Sequence, residues 1–125
     1  MTDHLKLTVP ARDEFARTVR LTAAAIASRM DMSLDDVGDV RIGVEEAYLL
    51  AVRCVRPGDP VTFDFAISGD ELTLEVGPLP VEPGTLSDSP EAKYARFILE
   101  SVSDHFELAG DGDSCHVRLT KRASR

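Results

Sequence analysis

The sequence contains no tryptophan, only 6% aromatic residues and no long run of apolar residues. Its apolar stretches fall well short of the ~20 residues that a membrane-spanning helix needs. The first residues, Met1-Thr2-Asp3-His4, lack the basic start and the apolar core of a signal peptide. We therefore expect a cytoplasmic protein that has no membrane segment.

Basic residues are scarce relative to acidic ones. The chain has 22 acidic and 14 basic residues, and its net charge at pH 7 is −8. Binding to a phosphate backbone requires concentrated lysine and arginine, whereas the basic residues here are scattered apart from the tail at 121–125. We expect this tail to serve solubility. The charge balance argues against direct nucleic-acid binding and favours a basic protein partner.

Cysteine and histidine are too few and too dispersed for a metal or redox centre. Cys54 and Cys115 have no ligand partner at short spacing, and His4, His105 and His116 are isolated. Zinc sites require several such ligands at close intervals. We predict buried free thiols and no metal site.

The first half of the chain has the periodicity of one strand followed by two helices. Apolar residues at alternate positions over 5–9, starting with Leu5, predict a strand with one buried face. Apolar residues at steps of three and four predict helices over 12–30 and 34–55. Ser33 is a suitable N-cap for the second helix, which ends before the breaker Pro57-Gly58-Asp59-Pro60.

The second half has the pattern of a hairpin, a helix and two more strands. Alternation over 61–67 and 72–76 predicts an antiparallel hairpin with one buried and one solvated face. Residues 77–90 contain four prolines and predict a loop, after which Pro90 opens a third helix. The last two strands are predicted over 106–108 and 115–119. The inward side of the third helix is predicted to consist of Tyr94, Ile98, Leu99 and Val102.

These elements give the order β-α-α-β-β-α-β-β in a single domain spanning residues 1–125. Every predicted strand is apolar on one face only, and the helices must therefore cover that face. We predict an α+β two-layer sandwich in which an antiparallel sheet of four to five strands carries its helices on one face.

The most informative pattern lies within the second helix. Asp39, Gly43, Glu46, Leu50 and Cys54 recur at steps of three and four residues and therefore share one helix face. The second half of this helix is apolar nearly all round. Such a helix is either central in the fold or covered by a partner.

Three segments of the chain match a known family. They are the start Leu5–Ala11 followed by Phe15-Ala16-Arg17, the helical stretch Asp39–Ala47, and the ending with Phe97-Ile98-Leu99 and Ser103–Leu108. In this order they resemble the GHKL (Bergerat-fold) ATPases in their smallest form. The chain as a whole resembles the anti-sigma factors that double as serine kinases in bacterial partner-switching systems.

The resemblance implies a nucleotide pocket and a catalytic residue. Glu46 matches the family's general base, which activates the attacking hydroxyl. The plain alternative is a solvated helix carboxylate beside Glu45. By resemblance, the remnant of the nucleotide pocket consists of Asp39, Gly43, Leu50, Cys54 and Gly77.

The chain departs from the family where nucleotide should bind. Leu50 stands at the position of the Asn that holds Mg²⁺, and leucine offers no oxygen to a hard cation. Residues 76–80 lack the Asp that reads adenine, and residues 89–95 lack the glycines of the phosphate loop. We therefore expect no cofactor, an idle Glu46, and a pocket that has collapsed around Leu50 and Cys54. The alternative is a pocket that accepts an apolar ligand or peptide.

These departures favour an anti-sigma-factor-like regulator that acts by binding proteins. By resemblance, its partners are a sigma factor, a STAS-domain antagonist or both, and the chain forms a homodimer. Contacts with the partner are assigned to Glu14, Arg17 and Arg20, with Arg17 as the leading candidate. The plain alternative for Arg17 is an exposed helix arginine.

Two other functions stay open at this point. One is an active serine kinase that uses Mg²⁺-ATP to phosphorylate a STAS-type antagonist. The other is a regulatory adaptor with unrelated partners. Nucleotide binding would distinguish the kinase, and identification of the partner would distinguish the adaptor.

Overall fold

The computed structural model describes residues 1–81 and 85–124. Its strands are β1 (Asp3–Pro10), β2 (Pro60–Ser68), β3 (Glu71–Leu79), β4 (His105–Asp111) and β5 (Ser114–Arg122). They form one antiparallel sheet in the order β1-β2-β3-β5-β4. The predicted antiparallel sheet is confirmed.

Three helices follow the predicted order, the first two of them with shorter bounds, and a short unpredicted helix precedes the last one. The helices are α1 (Ala16–Arg29), α2 (Leu34–Val52), α3 (Thr85–Asp88) and α4 (Pro90–Val102), and a 3₁₀ turn over Asp13–Phe15 precedes α1. Ser33 caps α2, because its Oγ accepts a hydrogen bond from the Asp36 N–H at 3.1 Å. No helix among these residues is long and apolar enough to cross a membrane.

One face of the sheet is buried under the helices. Along β2, β3 and β5 buried residues alternate with partly exposed ones, as the period of a strand requires. Phe63, Phe65 and Leu74 lie at the centre of this face, and Val44 and Tyr48 of α2 are fully buried in the same core. The predicted α+β two-layer architecture is confirmed.

Two residues that the sequence predicted to face the core are exposed. Leu5 is 43% exposed; it lies in the edge strand β1, whose first four residues are all exposed. Tyr94 is 66% exposed, and the buried side of α4 is instead formed by Ala92, Ala95 and Leu99. Tyr94 lies outside the stripe that these three buried residues form.

Two predicted irregular segments are more regular than expected. In the predicted loop 77–90, β3 continues to Leu79 and α3 forms a short helix, while residues 82–84 lie outside the described part. The tail at 121–125, for which a role in solubility is predicted, is also partly ordered, because β5 continues to Arg122 and Ala123 is buried. Lys121 Nζ donates a hydrogen bond to Asp39 Oδ2 at 3.0 Å, which removes it from the free surface.

Candidate functional site

The predicted column on α2 divides into a closed half and an open half. Asp39 is bound to Lys121 of β5. A Cβ added at Gly43 would lie 3.4 Å from Val102 Cγ2 and 3.6 Å from the Leu119 side chain. The first half of the column therefore packs against the sheet and the end of α4. Neither Asp39 nor Gly43 lines either of the two cavities that lie between α2 and the start of α4.

The open half of the column lines two cavities between α2 and the start of α4. The first cavity, of about 380 Å³, is walled by the α2 residues Glu46, Leu49, Leu50 and Arg53 and by the α4 residues Pro90, Glu91, Tyr94 and Ala95. The second, of about 240 Å³, is lined by Leu50, Arg53, Cys54, Val81, Leu86, Ser89 and Ala92. Glu46, Leu50 and Cys54 are thus brought together, as predicted for one helix face.

The expected collapse of this region is incomplete. Leu50 is only 3% exposed, so its side chain does pack into the fold. The α4 residues that face it, Ala92 and Ala95, are small. Space nevertheless persists beside Leu50, because both cavities border its side chain.

Glu46 is the half-buried acid of the first cavity. Burial raises its pKa, and the neighbouring Glu45 adds to the rise, while the charge of Arg53 acts in the opposite direction. A carboxyl group with a raised pKa in a cavity has the chemistry of a general base or acid. The described residues contain no group of three or more His, Cys, Asp or Glu that could hold a metal ion beside it.

Cys54 lines the second cavity as a free thiol. Its Sγ donates a hydrogen bond to the Leu50 carbonyl oxygen at 3.3 Å. Burial raises its pKa, and the proximity of Cys115 adds to the rise. Both cysteines are free, but only Cys115 is fully buried and Cys54 is half-buried.

Gly77 is not part of this groove. It lies near the end of β3 with φ +144°, and a Cβ there would lie 2.8 Å from His116 Cδ2. It lines a cleft with the β1 residue Lys6 and with Asp64 and Glu75, whose side chains alternate with the buried ones along β2 and β3. The structure therefore places Gly77 on the open face of the sheet, away from Glu46 and Leu50.

The three residues assigned to partner contact differ in their exposure and in the hydrogen bonds of their side chains. Glu14 and Arg17 are exposed, and neither side chain has a hydrogen bond or ion pair within the described residues. Arg20 is half-buried, and its Nη1 donates a hydrogen bond to Glu45 Oε1 at 3.3 Å. Arg20 is therefore partly committed to holding α1 on α2, whereas Arg17 is available to a partner.

Sequence reasoning missed Arg53, which lines both cavities. Its signal was present in the spacing, because Arg53 follows Leu50 by three residues and Glu46 by seven and therefore lies on the same helix face. Tyr94 and Glu91 of α4 were missed because nothing in the sequence indicates that α4 runs beside this face.

Comparison with known proteins decides the family. A model of the histidine kinase-like ATPase domain matches residues 9–121. The chain belongs to this family. Its resemblance to the anti-sigma factors and serine-protein kinases of partner-switching systems is confirmed by relatives named serine-protein kinase RsbW.

Two of these relatives cover most of the chain. RsbW of Bacillus licheniformis is 35% identical over 98% of this chain and 88% of its own length. RsbW of Halalkalibacterium halodurans is 46% identical over 86% of this chain and 76% of its own length.

A solved structure shows the same fold. The RsbU and RsbW domains of Rv1364c from Mycobacterium tuberculosis match 98% of this chain with a TM-score of 0.76 and 18% identity. The chain spans 33% of the length of that protein. At this identity the likeness supports the fold alone.

Proposed function

We propose that this chain is a cytoplasmic anti-sigma-factor-like regulator that acts by binding protein partners and has no kinase activity. The observation that carries the proposal is the position of Leu50. A buried leucine lies between the two cavities, at the position where the family holds Mg²⁺ with an Asn. The partners that the resemblance implies are a sigma factor and a STAS-domain antagonist.

The chemistry of the groove supports binding without catalysis. Mg²⁺ prefers near-octahedral oxygen coordination, and Leu50 supplies no side-chain oxygen. Its carbonyl oxygen already accepts the hydrogen bond from Cys54 Sγ. Glu46 then has no activated phosphate to act on, although its position on the helix is kept.

An active serine kinase is the second candidate, and one observation favours it. Glu46 is half-buried in an open cavity and its pKa is raised, as a general base requires. The relatives are also named as serine-protein kinases. A kinase of this kind would have to bind Mg²⁺-ATP without the family's metal ligand.

Titration calorimetry with Mg²⁺-ATP and Mg²⁺-ADP separates the two candidates. We expect no binding heat and no shift in melting temperature, while RsbW of Bacillus licheniformis serves as the positive control under the same conditions. Micromolar binding would instead favour the kinase. Transfer of phosphate to a STAS-domain protein, lost in Glu46→Gln, would then establish it.

The proposed partner surface is tested with a charge reversal. Arg17→Glu should weaken binding to the cognate sigma factor or STAS protein by at least about tenfold, because a buried interface arginine is a frequent anchor. The melting temperature should stay nearly constant, since Arg17 is exposed and makes no described hydrogen bond. The matched control is Arg29→Glu, at the exposed end of the same helix. Equal affinities for Arg17→Glu and the unmodified chain would show that this surface of α1 is not the contact.

A further inference from the structure

We propose that the two cavities between α2 and α4 form one binding site for a small zwitterion with an apolar body, of which an apolar α-amino acid is the simplest example. This inference rests on the proposed function, because it requires a groove that nucleotide does not occupy. The amino acid would take the place that a nucleotide has in the family.

The two cavities are neighbouring compartments of one groove. Leu50 and Arg53 contribute to the walls of both. The first volume, about 380 Å³, lies near the lower end of the range of roughly 300–1,000 Å³ that is typical of small-molecule sites, and the second, about 240 Å³, lies below that range. The groove therefore suits a ligand of amino-acid size better than a large cofactor.

The charged side chains are distributed unequally between the compartments. Two carboxylates, Glu46 and Glu91, line only the first cavity, whereas Arg53 lies at the boundary between the two. The side chain of Arg53 has no hydrogen bond or ion pair within the described residues. A ligand with an ammonium group toward Glu46 and a carboxylate on Arg53 would match both signs, and a guanidinium binds a carboxylate through two parallel hydrogen bonds.

The second cavity fits an apolar side chain. Apart from Arg53, its walls are formed mostly by Leu50, Cys54, Val81, Leu86 and Ala92. The other polar residue among its described walls, Ser89, is engaged as the N-cap of α4, where its Oγ accepts a hydrogen bond from the Ala92 N–H at 3.0 Å. A branched aliphatic or aromatic side chain would bury its surface here at about 25 cal/mol per Å².

The state of Glu46 agrees with a cationic group of the ligand. Burial and Glu45 raise its pKa, which means that its charged form is under-compensated in the chain alone. An ammonium group next to it would supply the missing opposite charge.

A matched set of four probes tests the chemistry of the ligand by calorimetry. L-leucine and L-phenylalanine carry both charges, 4-methylpentanoate is leucine without the ammonium group, and isopentylamine is leucine without the carboxylate. We expect leucine or phenylalanine to bind, and both truncated probes to bind at least about tenfold more weakly than leucine. Absence of binding by both amino acids at about 10 mM, or equal binding of leucine and either truncated probe, would overturn the inference.

Variants locate the site. Arg53→Ala should abolish leucine binding, and Glu46→Gln should weaken leucine more than 4-methylpentanoate. Arg56→Ala is the matched control, because Arg56 is exposed and lines neither cavity. Each variant's melting temperature without ligand reports whether it folds. Leucine binding that survives Arg53→Ala in a folded protein would place the ligand elsewhere and contradict the inference.

The same titrations separate this inference from the proposed function. If neither nucleotide nor amino acid binds, the inference fails while the protein-binding regulator stands. If Mg²⁺-ATP binds and displaces leucine, the proposed function fails.

Discussion

Asp36 shows how one residue joins two distant parts of the chain. Its carboxylate is only 3% exposed and accepts hydrogen bonds from the Ser124 N–H at 2.7 Å and the Ser124 hydroxyl at 2.8 Å. Lys121 Nζ lies 3.7 Å away. The hydrogen bond from the Ser124 backbone is the main reason why the pKa of Asp36 is lowered despite its burial. The first turn of α2 is thereby tied to the end of the chain.

Replacing this carboxylate should destabilise the fold. Asp36→Asn removes the charge from the hydrogen bonds with Ser124, and we expect the free energy of unfolding at neutral pH to fall by about 2 kcal/mol. Urea titration measures the change. Asp35→Asn is the matched control, because Asp35 lies in the same turn but is exposed, and it should have little effect. Similar losses for the two variants would contradict the role of Asp36.

The pH dependence of this difference follows from the direction of the pKa shift. The pKa of Asp36 in the folded state lies below its ordinary value of 3.8. Its contribution is therefore fully present above that value and is lost as the pH falls through the folded pKa. The stability difference between the unmodified chain and Asp36→Asn should stay constant from neutral pH down to about pH 4 and shrink on further acidification. A difference that grows on acidification would contradict the shift.

For Tyr48 the sequence predicted burial of the side chain but not its hydrogen bonds. Its place in the apolar stripe of α2 predicted a buried side chain, and it is fully buried. Its Oη also lies 2.7 Å from the Pro10 carbonyl oxygen and 2.8 Å from that of Arg12. This bridge between α2 and the end of β1 joins residues almost 40 positions apart, and no local pattern encodes it.

At the level of elements, the end of β3 depends on a glycine. The pairing of β3 with β5 is regular up to Val76 and shifts in register before Leu79. Gly77 lies in this irregular stretch with φ +144°, which is a conformation that other residues rarely adopt. The prolines around it predicted a loop from the sequence, because proline cannot donate to a ladder, yet the strand continues past the shift.

Substitution at Gly77 should cost more than substitution at a glycine with open space. In Gly77→Ala the Cβ would lie 2.8 Å from His116 Cδ2 and 3.0 Å from the Cys115 carbonyl oxygen. In Gly69→Ala, in the turn between β2 and β3, φ is also positive (+62°) but nothing lies within 4 Å. We expect Gly69→Ala to lose about 1 kcal/mol of stability through backbone strain alone, and Gly77→Ala to lose clearly more. Equal melting temperatures for the two variants would show that His116 and the strand move aside freely.

Helices and strands could be predicted from the sequence because each has its own apolar period. The candidate groove could not be predicted to the same depth. Glu46, Leu50 and Cys54 share a helix face by spacing alone, but the cavities beside them exist because small residues of α4 happen to face Leu50. That arrangement depends on how two helices that are far apart in sequence pack together. The apolar period of each helix does not encode this packing.

At the scale of the whole molecule, α2 lies between two surfaces with different proposed tasks. It packs against α1, which carries Arg17, and against α4, which forms the groove. The sheet has one face that the helices do not cover, and its edge strands are β1 and β4. Among the described strands, the edge strand β1 pairs with β2 alone, and the backbone groups on its outer side are therefore open to pairing with another strand.

We propose that a second copy of the chain pairs along β1 to form the homodimer that the family resemblance implies. Leu5 of β1 is 43% exposed, and two such strands side by side would cover both copies of it in a symmetric, self-complementary contact. Sedimentation velocity should give twice the protomer mass of 13.6 kDa, with dissociation on dilution. Leu5→Lys should weaken the dimer, because a charged edge strand resists pairing. Leu21→Lys is the matched control, because Leu21 of α1 is also apolar and 50% exposed. This substitution should leave the dimer intact. A dimer lost in Leu21→Lys and kept in Leu5→Lys would move the interface to α1, where it would compete with the proposed contact at Arg17.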